Sequence, residues 1–179
     1  SDGWSRLGNA GITEANFLGT TDNRPLEFRV NRLPGFRLLY GSNGSDASGV
    51  NVMGGDPGNF VDPTVNGATV FGGGTGRFPG GDGAEHRTNR VTAPLATVSG
   101  GGGNTAGGEE ATVGGGRNNT ATGEQATVGG GRGNIASGAA ATIPGGSQNF
   151  ATNDAFAAGV LARAVHPGAF VWSDGTGTG

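Results

Sequence analysis

Few residues of this chain are of types that do chemistry, and their spacing limits what they can do. The two histidines are His86, inside the charged run Glu85-His86-Arg87, and His166, just before Pro167. Neither has a second His at ligand spacing and the chain has no cysteine, so no zinc site or thiolate centre is expected. The Gly-Gly-Gly runs starting at Gly72, Gly114 and Gly129 have the composition of phosphate-cradling loops. No Lys-Ser/Thr pair and no helical pattern follows them, so they read as turns. Calcium held between stacked coils needs an Asp at a fixed position of each repeat, and residues 96–150 contain none. No Ser or Cys nucleophile with a base and no carboxylate pair stands out. The chain therefore reads as non-enzymatic, with no metal and no cofactor.

What remains is a set of arginines. Arg117 and Arg132 occupy the same slot of successive repeats, and Arg163 is placed comparably. Two readings stay open. The column is either an ordinary solvated face balanced by Glu109, Glu110 and Glu124, or a contact stripe for an anionic or matrix ligand.

These side chains are carried by a repeat. Ala-Thr-Val/Ile begins at Ala96, Ala111, Ala126 and Ala141, four positions at strictly equal intervals. Each copy runs into a Gly-rich turn and a short Ala-containing segment, as in Ala126-Thr127-Val128-Gly129 through Ala136-Ser137-Gly138. A fixed short period predicts a solenoid in which each coil needs its neighbours. Strand alternation turns Ala96, Val98, Ala111, Val113, Ala126, Val128, Ala141 and Ile143 inward and Thr97, Thr112, Thr127 and Thr142 outward as a ladder. Ala121 and Ala136 face inward from the second strand of their coils. The interval shortens by one position at Ala155 and stays short to Ala169. Residues 154–165 would pass for a helix on propensity, but the repeat phase and Gly159 favour two more strands.

Composition agrees with a thin coil. Gly and Pro together number 49 (41 plus 8) of 179 residues, and the glycines are periodic, as turn residues would be. A coil that buries little beyond Ala and Val gains only a few kcal/mol at ~25 cal/mol per Å², against roughly 1–2 kcal/mol of backbone entropy per residue. Association with further chains is the expected remedy. The net charge of −3 argues against nucleic acid and anionic membranes. All 11 basic residues are Arg. No apolar run approaches the ~20 residues of a membrane span, so this segment is not expected to insert. No secretory signal is visible, so any export signal or anchor is expected outside this segment.

Four regions are expected. Residues 1–40 hold most large side chains and read as a small β-meander, with Leu26-Glu27-Phe28-Arg29-Val30 as an alternating strand flanked by strands near 16–19 and 36–40. Residues 41–95 read as irregular coils, with the stretch from Ala68 to Ala96 close to two repeats in length and 78–87 a degenerate coil or protruding loop. Residues 96–172 form the regular array, and 173–179 a Gly/Thr-rich tail. Trp4 and Trp172, near opposite ends, are candidates for end-to-end contacts.

In Gln125-Ala126-Thr127-Val128-Gly129 and Asn134-Ile135-Ala136-Ser137-Gly138 the chain resembles the YadA-like head repeats of trimeric autotransporter adhesins, over residues 96–172 and more loosely 50–95. It departs from them by an extra Gly in the turn and by Ala at the first core position. The stretch 17–30 is similar to a strand module found before such repeats and in phage-type tail fibres. The resemblance implies an all-β, left-handed parallel β-roll, three of which wind about one axis, with Thr127 and its equivalents facing the other two chains. Seven to nine coils at ~4.8 Å each would make a rod of roughly 35–45 Å. The expected function is a structural fibre or adhesin segment on a bacterial cell surface, its partners being itself as a homotrimer and an extracellular matrix or cell-surface ligand. The alternatives are a subunit of a self-assembling extracellular filament and a phage or phage-like tail-fibre segment.

Overall fold

The computed structural model describes residues 18–42, 48–75 and 87–176. Among them there is no helix, and the strands wind into a parallel β-solenoid of about 7 turns. Two sheets face one another across the coil axis: an 11-stranded front sheet and a 7-stranded back sheet. Each regular coil contributes one two-residue strand to each, such as Thr127–Val128 in front and Ile135–Ala136 behind.

The repeats stack in strict register. Thr127 lies between Thr112 and Thr142, and Val128 between Val113 and Ile143. The Thr127 N–H donates to the Ala141 carbonyl at 2.8 Å, and the Gly129 N–H to that of Ile143 at 2.8 Å. Parallel strands joined through corners, with one side turned to the axis, reproduce the period of two within each strand and the repeat period between strands. The core is correspondingly narrow. Val and Ile from the front sheet meet Ala106, Ala121, Ala136, Ala151 and Ala164 from the back sheet, all fully buried.

Residues 154–165 form strands, Phe156–Val160 and Arg163–Ala164, so stacking overrides helix propensity there. The register locates one of the two positions at which the last coils are shortened. Thr142 pairs with Phe156 and Gly146 with Gly159, so the offset between partners falls by one from the first pair to the second. The residue lost there lies between Thr142 and Gly146, and Gly100, Gly130 and Gly145, the middle glycines of that corner, meet nothing within 4 Å.

The stretch from Ala68 to Ala96 is one coil and not two. Thr69 pairs directly with Thr97 and Val70 with Val98. Thr75 and Arg87 form an antiparallel bridge at the mouth of residues 76–86, which lie outside the described residues.

An antiparallel hairpin leads into the solenoid. Strands β1 (Leu26–Val30) and β2 (Leu33–Ser42) pair with each other, and β2 pairs with β3 (Ser48–Gly54), itself the first front strand of the solenoid. The third strand of the meander is therefore β3. Leu18 and Gly19, expected in a strand, form a bend instead, and 16–17 fall outside the described residues.

Candidate interaction surfaces

The threonine ladder belongs to a longer row. Following the register across the front sheet gives Leu26, Leu38, Val52, Thr69, Thr97, Thr112, Thr127, Thr142, Phe156 and Phe170. The row contains no charge. Its outward neighbours two residues on run from Phe71 through Ser99, Gly114, Gly129, Pro144 and Ala158 to Trp172, again without charge. Phe71, Phe170 and Trp172 are 69%, 72% and 66% exposed. The Phe156 and Phe170 rings stack at 4.7 Å and 9°. The apolar side of the hairpin joins this outer face and not the core, which is why Phe28, Tyr40 and Val50 are about half exposed.

The back sheet is different in kind. Its outward row is Phe60, Arg90, Thr105, Thr120, Ile135, Phe150 and Arg163. The Arg90 guanidinium lies over the Phe60 ring at 4.5 Å, and that of Arg163 over Phe150 at 5.3 Å, so both cations have aromatic partners in the preceding coil. Beside this row the Asp62 carboxylate accepts from the Thr64 hydroxyl at 2.6 Å and the Thr64 N–H at 2.9 Å. Those two hydrogen bonds, with Arg90 further away, hold its pKa below the ordinary carboxylate value.

Arg163 thus leaves the expected stripe. Arg117 and Arg132 do stack in register, between Gly102 and Ser147, at the corner leading from the front sheet to the back. The next position in that column is Val160, which pairs with Ser147. Two shortened coils after Ile143 shift the count, which carries Arg163 onto the back sheet. Glu109, Glu110 and Glu124 occupy the other corner, where Gln125 donates to the Glu110 carboxylate at 2.8 Å.

Of the remaining candidates, Ala96, Val98, Ala111, Val113, Ala126, Val128, Ala141 and Ile143 are fully buried, and Thr97, Thr112, Thr127 and Thr142 are half-buried on the outer front face. His166 is exposed in a turn in which its carbonyl accepts from the Ala169 N–H at 3.1 Å. His86 and Trp4 lie outside the described residues.

One ladder was not anticipated. Asn89, Asn104, Asn119, Asn134 and Asn149 are all buried, one per coil. Each backbone N–H from Asn104 onward donates to the side-chain oxygen of the preceding asparagine, and each side-chain amide caps glycine carbonyls. Their own strict repeat spacing was the available signal.

No protein-family model matches the chain, and no curated protein or solved structure matches it either. The surfaces themselves carry the functional argument.

Proposed function

We propose that the chain is a non-enzymatic segment of a trimeric extracellular fibre that takes part in adhesion on a bacterial cell surface, of the kind built from YadA-like head repeats. The observation that carries this reading is the charge-free outer row of the front sheet, continuous from Leu26 to Phe170. Parallel sheets are ordinarily covered on both faces, and this uncharged face of small residues, with large apolar side chains at both ends, is left uncovered in the single chain. Two further copies of the chain suit it best, because every regular coil presents a Thr and a second small, uncharged residue (Ser99, Gly114, Gly129 or Pro144) to them. Large aromatics close the row at its C-terminal end, and such a seam lets three rolls approach closely along their length. Binding of a surface ligand would then gain strength from repetition.

Mass in solution, measured by light scattering over a concentration series, tests this. A fixed mass of three chains is expected, and a stable single chain overturns the proposal. Among the described residues the strand Phe170–Asp174 pairs on one side only, with Phe170 and Trp172 exposed on it, which favours the filament as the second reading. Mass that climbs without limit would select it.

A further inference from the structure

We propose that the corner carrying Arg87, Arg117 and Arg132 binds a linear anionic polysaccharide through its sulfate or carboxylate groups. Arg117 and Arg132 are bridged in register on adjacent coils, an arrangement in which like charges repel. The coil before them has Gly102 in that position. A Cβ there would sit 3.2 Å from Cβ of Arg87, so Arg87 lies over Gly102 in the place of its missing side chain. The end of the inserted segment thereby extends the row to a third arginine.

The gap beside Gly102 is an open notch of about 180 Å³ lined by Thr75, Arg87, Gly101, Gly102 and Arg117. Arg117 lines the notch, and its Nε is buried without a hydrogen-bond partner. A guanidinium N–H left unpaired away from water is costly, and an oxyanion seated in the notch would satisfy it. Residues 99–104, 114–119 and 129–134 contain no carboxylate, so these three turns place no negative charge beside Arg117 and Arg132. The planar fork of Arg suits sulfate and carboxylate oxygens better than a point charge would.

A polymer fits because the cations recur at the coil repeat. Nucleic acid fits poorly: the chain has a pI near 5.2 and these turns contain no aromatic residue on which a base could stack. All the arginines come from one chain, so the site does not depend on the trimeric reading.

The test is retention of the whole protein on immobilised heparin, with a salt gradient and a parallel single-stranded DNA column. Solution mass and circular dichroism are recorded on the same samples. The wild type is expected to be retained on heparin, with Arg132→Gln and Arg117→Gln each losing about tenfold in affinity. Arg163→Gln, on the back sheet, is expected to leave retention unchanged. Should Arg117→Gln fail to fold, the exposed Arg132 decides. Passage of the wild type through heparin, equal retention of Arg132→Gln and Arg163→Gln, or tighter retention on DNA each overturns the proposal. A monomeric mass with heparin retained would sink the trimer and leave this site standing.

Discussion

The backbone N–H of Asn134 donates to the side-chain oxygen of Asn119 at 3.0 Å, one coil earlier in the stack. Its own side-chain amide donates to Gly130 at 2.9 Å and to Gly146 in the next coil at 3.0 Å, while its oxygen accepts from the Asn149 N–H at 3.0 Å. Asn134 thus links three consecutive coils through buried asparagines and part-buried glycine carbonyls. Asn134→Ala removes the donor to the Gly130 and Gly146 carbonyls and leaves the buried Asn149 N–H without its acceptor, the latter alone costing about 1–3 kcal/mol. A fall in the unfolding midpoint clearly larger than that of Thr120→Ala is expected by urea titration. Equal midpoints would mean the ladder contributes nothing.

Glycines of one triplet should respond in opposite ways. A Cβ on Gly131 would come within 2.1 Å of the Gly146 carbonyl oxygen, and its φ of 90° is unsuited to an L side chain. A Cβ on the adjacent Gly130 meets nothing within 4 Å. Gly131→Ala should abolish folding or lower the melting temperature severely, while Gly130→Ala should be neutral or slightly stabilising by thermal melt.

The contrast also shows what the sequence made legible. The Ala-Thr-Val spacing exposed the inward and outward columns because alternation within a strand depends only on neighbouring residues. It could not tell Gly130 from Gly131, since their difference lies in the carbonyl of the next coil. Arg163 was misplaced because a column is followed by register, and two coils each lost one residue at different corners. The insertion after Thr75 hid a single coil behind a length close to two. Asn134 was in plain view at repeat spacing, but a polar residue in a turn looks solvated until both its glycine partners are located. The direction of the hairpin's apolar side followed from pairing with β3 and not from its own alternation.

Ala140 offers a stabilising change. It sits at φ 51° in the corner column that also holds Glu110 and Gln125, both at φ 57°. An L residue in that region costs about 1–2 kcal/mol, and glycine there returns about 0.4–1 kcal/mol of unfolded-state entropy. Ala140→Gly should therefore raise stability by about 0.5–1 kcal/mol in a urea titration. A loss of stability would show that the Ala methyl makes contacts worth more than its backbone strain.

Asp62 should titrate below its ordinary value of 3.8, first because of the Thr64 hydroxyl and then because of the Thr64 N–H. A carboxyl depressed in the folded state contributes stability that is present above its unfolded pKa and lost as pH falls through the folded value. The contribution is fully present at neutral pH, and its loss is confined to the acid range around and below 3.8. Thr64→Val should move the Asp62 carboxyl resonance midpoint upward, toward 3.8, in an NMR titration. A midpoint that stays low would assign the shift to Arg90 or to the backbone donor.

Thr127 separates the association reading from a merely tolerant surface. It is half-buried in the middle of the charge-free front row, between Thr112 and Thr142. Thr120 is its counterpart on the back sheet, half-buried between Thr105 and Ile135. Both point away from the coil axis, so an arginine at either should cost the single chain little, within about 0.5 kcal/mol for a surface change. In a threefold assembly closed by the front face, Thr127→Arg would bring three like charges together in a desolvated seam, which costs several kcal/mol. The expected result is a folded single chain for Thr127→Arg and the wild-type mass for Thr120→Arg, by light scattering and circular dichroism together. Should Thr120→Arg be the variant that dissociates, the back sheet would be the seam. The Arg90–Phe60 and Arg163–Phe150 pairs would then be interface contacts, and the front face would be left free for a ligand.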